Sequence, residues 1–281
     1  MSVSRQSGKR LKPKGNIMIE LDKIYNQDCL EGMRQIPDGS IDLTVTSPPY
    51  DCLRKYGGCE WSFDKFKAIA AEIARVLKQG GVCVWVVGDA TIDGSETGTS
   101  FRQALYFKDE CGLNLYDTML YMKANPIPQT QQRYEQMFEY MFVLSKGRPK
   151  TFNPIREKCK RAGQPQQWGR TINTDERTVK YLREDDVQQT RETKIHGNVF
   201  TYGIGGNPTG HPAVFPEMLA ADQINSWSNE GDVVLDPFMG SGTTAYVARA
   251  LNRHYIGFEI SAEYCEIIRK RLEQTKTLFD L

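Results

Sequence analysis

The sequence predicts an α/β protein with a doubly wound, mostly parallel sheet and a small loop-rich lobe. Three observations predict it. Short apolar runs of strand composition alternate with amphipathic helical patterns along most of the chain. One run, "VCVWVV" at Val82–Val87, is apolar without alternation, as strands covered on both faces are. Two further runs end in special turns, "TVTSPPY" at Thr44–Tyr50 and "VVLDPFMGSGTT" at Val233–Thr244. Doubly wound folds bind ligands at such strand ends.

The elements follow in order. "KIYNQD" reads as a strand, "CLEGMRQI" as a short helix and "IDLTVT" as a strand after the turn "PDGS". In "FDKFKAIAAEIARVLKQGG", Phe66, Ile69, Ile73, Val76 and Leu77 share one helical face, and the glycine pair is expected to stop the helix. "VCVWVVGD" is a buried strand of the parallel-sheet kind. "SFRQALYFKDECGL" is a helix, and "LYDTMLYMK" and "YMFVLSK" are strands. From about Arg148 to Gly197 the periodicity fails. It resumes with the helix "FPEMLAADQINSW", the strand before the glycine-rich turn, the helix "TAYVARALNRH", the strand "YIGFEI" and the terminal helix "AEYCEIIRKRLEQT". The implied organisation is a basic arm at 1–18, halves of one domain at 19–147 and 198–281, and an inserted lobe at 148–197.

Composition narrows the function classes. Of 281 residues, 40% are hydrophobic and 25% charged, which suits a soluble globular chain. No apolar run approaches the length of a membrane span, and the basic start lacks the apolar core of a secretory signal. Net charge is only +1, but Lys146–Gly197 carries thirteen Lys/Arg against seven Asp/Glu. Positive charge is thus concentrated in the lobe. Seven scattered cysteines without a CxxC argue against a metal site or a disulfide framework and fit a reducing cytoplasm.

The turn "DPFMGSGTT" places Asp236, Pro237, Phe238, Gly240, Ser241, Gly242 and Thr243 between a strand and a helix. A plain strand–turn–helix is the ordinary alternative. Against it, the strand "YIGFEI" also ends in an acid, Glu259, where ribose hydroxyls are commonly bound. The turn is neither GxGxxG nor a P-loop, so the ligand carries a nucleoside without a polyphosphate. Asp236 suits a cationic amino group. S-adenosylmethionine has these properties.

Together, "TSPPY" at Thr46–Tyr50 and "DPFMGSGTT" at Asp236–Thr244 resemble the catalytic and cofactor motifs of amino-directed DNA methyltransferases. The catalytic motif comes first, as in the β group, whose target-recognition region lies between the two. The resemblance covers roughly 19–272 and implies S-adenosylmethionine as cofactor and double-stranded DNA as partner. A cognate restriction endonuclease and a second copy of the chain are further partners it allows. It assigns Asp28 of "NQDCL" to the cofactor adenine, and His211, Pro212 and Phe215 of "GHPAVFPEML" to the methionine end. "YMKANPIP" is expected to be structural or to line the target base.

The resemblance makes the Ser47 side chain and the Pro48 carbonyl acceptors for the two N–H bonds of an exocyclic amine. Pro48 and Pro49 fix the backbone beforehand, and Tyr50 offers a face to an extruded base. Ser47 at the first motif position leans toward cytosine N4, with adenine N6 as the alternative. Methylation at cytosine carbon five is disfavoured, because no Pro-Cys nucleophile occurs. Methylation of RNA or of a protein glutamine fits less well, since the cofactor motif usually comes first in those enzymes. A catalytically silent DNA-binding module would be expected to have lost Ser47, Tyr50 or Asp236.

Overall fold

The computed structural model describes residues 19–49, 61–126, 132–167, 170–174, 177–181, 187–203 and 216–273. The chain opens with β1 (Lys23–Asn26), α1 (Cys29–Met33), β2 (Ile41–Thr46), α2 (Phe63–Val76) and β3 (Leu77–Val87). A small hairpin, β4 (Thr91–Ile92) and β5 (Ser95–Glu96), precedes α3 (Thr99–Asp109), β6 (Asn114–Lys123) and β7 (Phe138–Ser145). Six short strands follow: β8 (Arg156–Lys158), β9 (Pro165–Gln167), β10 (Arg170–Thr174), β11 (Arg177–Tyr181), β12 (Val187–Gln189) and β13 (Thr193–Ile195). The last part holds β14 (Val199–Tyr202), α4 (Glu217–Trp227), β15 (Val233–Asp236), α5 (Thr243–Ala250), β16 (His254–Glu259) and α6 (Ala262–Glu273).

Contacts divide the chain into two compact units: Pro154–Gly197, and the remainder on either side of it. The remainder is built on an eight-stranded sheet in the order β1-β16-β15-β2-β3-β7-β6-β14. All strands run parallel except β7, which is antiparallel to β3 and to β6. No helix was expected between β6 and β7, and a parallel return needs a crossover, so the pair closes as a hairpin. The sheet order reverses direction between β15 and β2. That is the topological switch point, where such sheets open a ligand crevice.

The core fills both faces of the sheet. α2 buries Phe66, Ile69, Ala70, Ile73, Ala74 and Val76, and its N-cap Ser62 accepts a hydrogen bond from the Lys65 amide at 3.1 Å. Phe66, Phe107 and Trp85 meet with ring centroids 5.2–5.8 Å apart, edge to face or tilted, as aromatic quadrupoles prefer. Each such ring removes roughly 150–250 Å² from water, so this triad anchors α2 and α3 to β3.

Three expectations change. The glycine pair does not stop α2: the helix ends at Val76, Leu77 is already extended, and Gly80 and Gly81 lie inside β3. Gly81 serves packing instead. A Cβ there would sit 3.1 Å from the Asp42 carbonyl oxygen and 3.2 Å from that of Ile41, on the adjacent strand β2. Between Arg148 and Gly197 the described residues include three short two-stranded ladders that the patterns did not reveal, and β14 adds an edge strand that they also missed. Among the described residues no helix is long and apolar enough to cross a membrane.

Candidate functional site

The two motif turns meet because β2 and β15 are neighbours. Ser47, Pro48 and Pro49 follow directly from β2, with Pro48 buried and the other two half-buried. β15 delivers Asp236, whose side chain is almost wholly buried. Thr46, the last residue of β2, donates its hydroxyl to Asp236 Oδ1 at 2.6 Å. The Phe238 amide donates to the same oxygen at 3.0 Å, closing the turn in which Pro237 is buried. Burial pushes the Asp236 carboxyl above the ordinary range, against the bonds from Thr46, Thr244 and the Phe238 amide.

The turn then enters α5. Gly242 holds φ +81° as the N-cap of that helix, a conformation disfavoured for side chains with a Cβ. Ser241 and Thr243 are buried beside it. Arg271 of α6 braces the turn from behind, donating to the Ser241 carbonyl at 3.0 Å and to Thr243 Oγ1 at 3.2 Å. Its guanidinium also lies over the Tyr246 ring and reaches Glu217 Oε1 at 2.6 Å.

Glu259 ends β16, directly beside β15. It accepts the Gly240 amide on Oε2 and the Ser261 amide on Oε1, both at 2.8 Å. Burial raises its carboxyl despite these two amides. One strand further, Asn26 of β1 is the ladder partner of Glu259, and Asp28 lies two residues on. The Asp28 carboxylate caps α1 through the Leu30 amide at 2.8 Å and pairs with Lys65 Nζ at 3.0 Å. Partial burial opposes ionisation of Asp28, but the lysine and the amide prevail and hold it below the usual range.

Adjacent carboxyl ends of the sheet thus carry Asp236, Glu259 and Asp28. Next to Asp28, the Gln27 side-chain amide nitrogen is buried with no hydrogen-bond partner among the described residues. A buried donor left unpaired costs about 1–3 kcal/mol, so it marks a place where a ligand acceptor belongs. Acceptors for hydroxyls, acids for a cation and one orphaned donor suit a nucleoside joined to an amino acid. The donor set therefore fits S-adenosylmethionine.

Beyond Phe238 lies Trp61, edge-on at 5.5 Å between ring centroids. Trp61 also lines an open cleft of about 310 Å³ with Phe63, Thr97, Thr99, Arg102 and Gln103. Gln103 is itself held there, accepting the Trp85 indole N–H at 2.8 Å. Asp89, just past β3, organises the rim by accepting the Ser100 amide at 2.9 Å and the Thr97 hydroxyl at 3.3 Å.

The structure brings together Asp28, Ser47, Pro48, Pro49, Asp236–Phe238, Gly240–Thr243 and Glu259 of the residues singled out from sequence. Tyr50, His211, Pro212 and Phe215 lie outside the described residues. Sequence reasoning missed Thr46, Gln27, Trp61 and Arg271. Only Thr46 carried a local signal, a polar residue closing an otherwise apolar core strand.

Comparison with known proteins agrees with this geometry. The profile of a family described as DNA methylase, of the N6/N4 type, matches residues 41–270. The orphan methyltransferase M.BamHII of Bacillus amyloliquefaciens is 49% identical over 254 residues, spanning 85% of this chain and 91% of that protein. The type II methyltransferase M.HinfI of Haemophilus influenzae is 28% identical over 291 residues, spanning 94% and 71%. Among solved structures, PvuII DNA methyltransferase (cytosine-N4-specific) superposes with a TM-score of 0.65 at 22% identity, over 92% of this chain and 95% of that one. A complex of M1.HpyAVI with S-adenosylmethionine gives a TM-score of 0.59 at 25% identity, over 89% and 98%.

Proposed function

The chain belongs to the N6/N4 DNA methylase family, and on that premise we propose that it methylates the exocyclic amine of a base flipped out of duplex DNA, at N4 of cytosine in preference to N6 of adenine. It is a DNA methyltransferase, and S-adenosylmethionine is the methyl donor. The observation that carries the reading is the Thr46–Asp236 hydrogen bond, which joins the SPPY strand to the cofactor strand across 190 residues of sequence.

S-adenosylmethionine supplies a methyl carbon on a positively charged sulfur, open to displacement by a nitrogen lone pair. The residues proposed to hold it are Asp236 for the amino group, Glu259 for the ribose hydroxyls, and Asp28 with Gln27 for the adenine. Gly240, Ser241, Gly242 and Thr243 shape the turn around it, with Pro237 and Phe238 packed at its start.

The difficulty of the reaction lies in the amine. Its lone pair is delocalised into the ring, so the nitrogen is flat and weakly nucleophilic. The Ser47 hydroxyl oxygen and the Pro48 carbonyl each accept one of its N–H bonds and favour a pyramidal nitrogen. Pro48 and Pro49 hold that carbonyl in place before substrate arrives, so little reorganisation accompanies reaction. Extruding the base costs roughly a few kcal/mol, and stacking on Tyr50 returns about 1–3 kcal/mol. The preference for cytosine rests on Ser47 at the first motif position.

The test is incubation with radiolabelled S-adenosylmethionine and duplex DNA, RNA or protein, followed by nucleoside chromatography of the DNA. N4-methylcytosine is the expected product. N6-methyladenine would correct the base, and label in RNA or protein alone would overturn the proposal.

A further inference from the structure

Arg271 stands in the last turn of α6, three residues after Ile268, so the two side chains share one helical face. That face packs on the start of α5: a Cβ added at Gly242 would lie 2.7 Å from Ile268 Cγ2. The Arg271 side chain is only 16% exposed. Its Nη1 donates to the Ser241 carbonyl at 3.0 Å and to Thr243 Oγ1 at 3.2 Å, and its Nη2 donates to Glu217 Oε1 at 2.6 Å. The guanidinium carbon lies 4.8 Å from the centre of the Tyr246 ring. From the far end of α5, Arg249 donates to the Leu272 carbonyl at 2.8 Å. Both ends of α5 are thus tied to adjacent residues of α6, and the guanidinium has a set place behind the cofactor turn.

Helix stability alone does not account for a cation at this place. The N-terminal end of a helix is the positive end of its dipole and favours acids. Arg271 nevertheless brings a guanidinium to Thr243, the first residue of α5, whose N-cap Gly242 provides no side-chain acceptor. Glu217, the acid that pairs with Arg271, is more than half exposed, so solvent screens part of that pairing. A positive helix end with a guanidinium beside it favours an anion.

The hydroxyls of the turn show which donors that anion would meet. Thr244 is bonded to the Asp236 carboxyl. Thr243 accepts from Arg271, so its own hydrogen has to point away from the guanidinium. Ser241 Oγ stands 3.5 Å from Thr243 Oγ1. A hydroxyl that accepts from a cation becomes a stronger donor, and the effect passes along a chain of hydroxyls. S-adenosylmethionine carries its amino group and its carboxylate on the same carbon. With the amino group at Asp236, the carboxylate comes next to the turn that follows Asp236.

We infer that Arg271 is a positioning residue for the cofactor: through the Ser241 carbonyl and the Thr243 hydroxyl it aims the donors of the turn at the carboxylate of S-adenosylmethionine and places a positive charge behind them. The inference rests on the reading that puts the cofactor's amino group at Asp236. Its consequence is selectivity. A cation behind the turn favours ligands that carry the carboxylate over those that lack it.

The experiment measures, by calorimetry and without DNA, the affinity of the full chain for S-adenosylmethionine and for decarboxylated S-adenosylmethionine. The second ligand keeps the adenosine, the sulfonium and the amino group. Arg271→Met keeps an apolar stem of similar reach and removes the charge and the donors. It is expected to weaken S-adenosylmethionine at least about tenfold. The decarboxylated ligand should weaken by no more than about twofold, since it offers no anion to the lost cation. Arg271→Lys restores the charge without the planar fork and is expected to recover part of the loss. If the methionine variant does not fold, the lysine variant carries the same comparison of ligands. Adding Thr243→Val to Arg271→Met should cost less than the sum of the two single losses, because both act on one hydroxyl. Equal weakening of the two ligands would make Arg271 a brace for the shape of the turn and nothing more. Unchanged affinity for S-adenosylmethionine, or full additivity with Thr243→Val, would also overturn the inference. Asp236→Asn should weaken both ligands, which share the amino group. If it weakens neither while Arg271 still discriminates between them, the placement of the amino group fails and the role of Arg271 stands.

Discussion

Thr46 and Asp236 close one end of a strand pair whose other end is closed by Asp42 and Val233. The Thr46 hydroxyl donates to Asp236 at 2.6 Å, and the Val233 amide donates to Asp42 at 2.9 Å. β2 and β15 are therefore fixed at both ends, and the catalytic turn has a set position relative to the cofactor turn. Thr46→Val keeps the shape and the strand preference but removes the donor. Because Asp236 is nearly fully buried, the loss is expected to cost about 1.5–3 kcal/mol in urea denaturation. Thr46→Ser should retain most of that stability. A valine variant with wild-type stability and wild-type cofactor affinity would show that the bond positions nothing.

Asp236→Asn separates charge from geometry. An amide oxygen still accepts from Thr46 and Phe238, so the turn keeps its shape. Burial already disfavours the carboxylate, and a neutral group relieves that penalty. The free protein should be as stable as wild type or more so, while S-adenosylmethionine affinity falls at least about tenfold, the equivalent of about 1.4 kcal/mol. Calorimetry and denaturation on the same preparation test both halves. Lower stability with unchanged affinity would make Asp236 a structural residue only.

Glu259 gives the site a pH dependence of known sign. Burial raises its carboxyl above the ordinary range, so it stays partly protonated at a pH where an exposed glutamate is fully ionised. Only the ionised form presents all its oxygen lone pairs to hydroxyl donors. Cofactor affinity should therefore fall as the pH is lowered from 8 toward 5, with a midpoint above the usual glutamate value. Glu259→Gln should flatten the curve. Folding responds in the opposite sense: the native carboxyl binds its proton more tightly than the unfolded one does. This group's contribution is therefore most favourable below the unfolded pKa and is lost as pH rises through the folded one. Comparison of wild type with Glu259→Gln isolates that contribution from those of other carboxyls.

Legibility from sequence follows burial. β3 and α2 announced themselves because each buries an apolar face, and Asp236, Glu259 and Gly242 because strand ends and turns have local chemistry. The end of α2 was misplaced because Gly80 and Gly81 look like a helix stop, while Gly81 is in fact set by the close approach of β2. β8–β13 were not read because their short stretches carry no sustained apolar alternation. Gln27, Trp61 and Arg271 were missed for a third reason. Arg271 touches Ser241 and Trp61 touches Phe238 only after distant segments come together, and no window of sequence holds both partners.

Gly242→Ala tests the turn from its packing side. The new methyl would lie 2.7 Å from Ile268 Cγ2, at a backbone φ of +81°. Left-handed backbone costs roughly 1–2 kcal/mol outside glycine, and overpacking a further 1–3 kcal/mol. Cofactor affinity should fall with stability, because α5 and the turn shift together. Adding Ile268→Ala removes both Cγ atoms of the clash but not the dihedral cost. Measured against Ile268→Ala alone, the glycine change should therefore cost less in thermal denaturation, and no cost at all in that background would show that the dihedral carries none.

Ser47→Ala separates binding from chemistry. Ser47 follows Thr46 at the end of β2, half-buried, whereas the groups proposed to hold cofactor belong to β15, β16 and the turn after β1. Removing its hydroxyl should leave S-adenosylmethionine affinity unchanged and duplex affinity nearly so, since phosphate contacts dominate the latter. The rate of the chemical step should fall by about 10²–10³, the usual effect of deleting one preorganised hydrogen-bonding group that acts on the developing charge. Single-turnover methyl transfer at saturating cofactor and DNA reads that step apart from product release. If the rate falls only because cofactor affinity falls, Ser47 shapes the pocket. If both stay at wild-type values, the amine finds its acceptor elsewhere, and the Pro48 carbonyl, which no side-chain substitution removes, becomes the group left to polarise it.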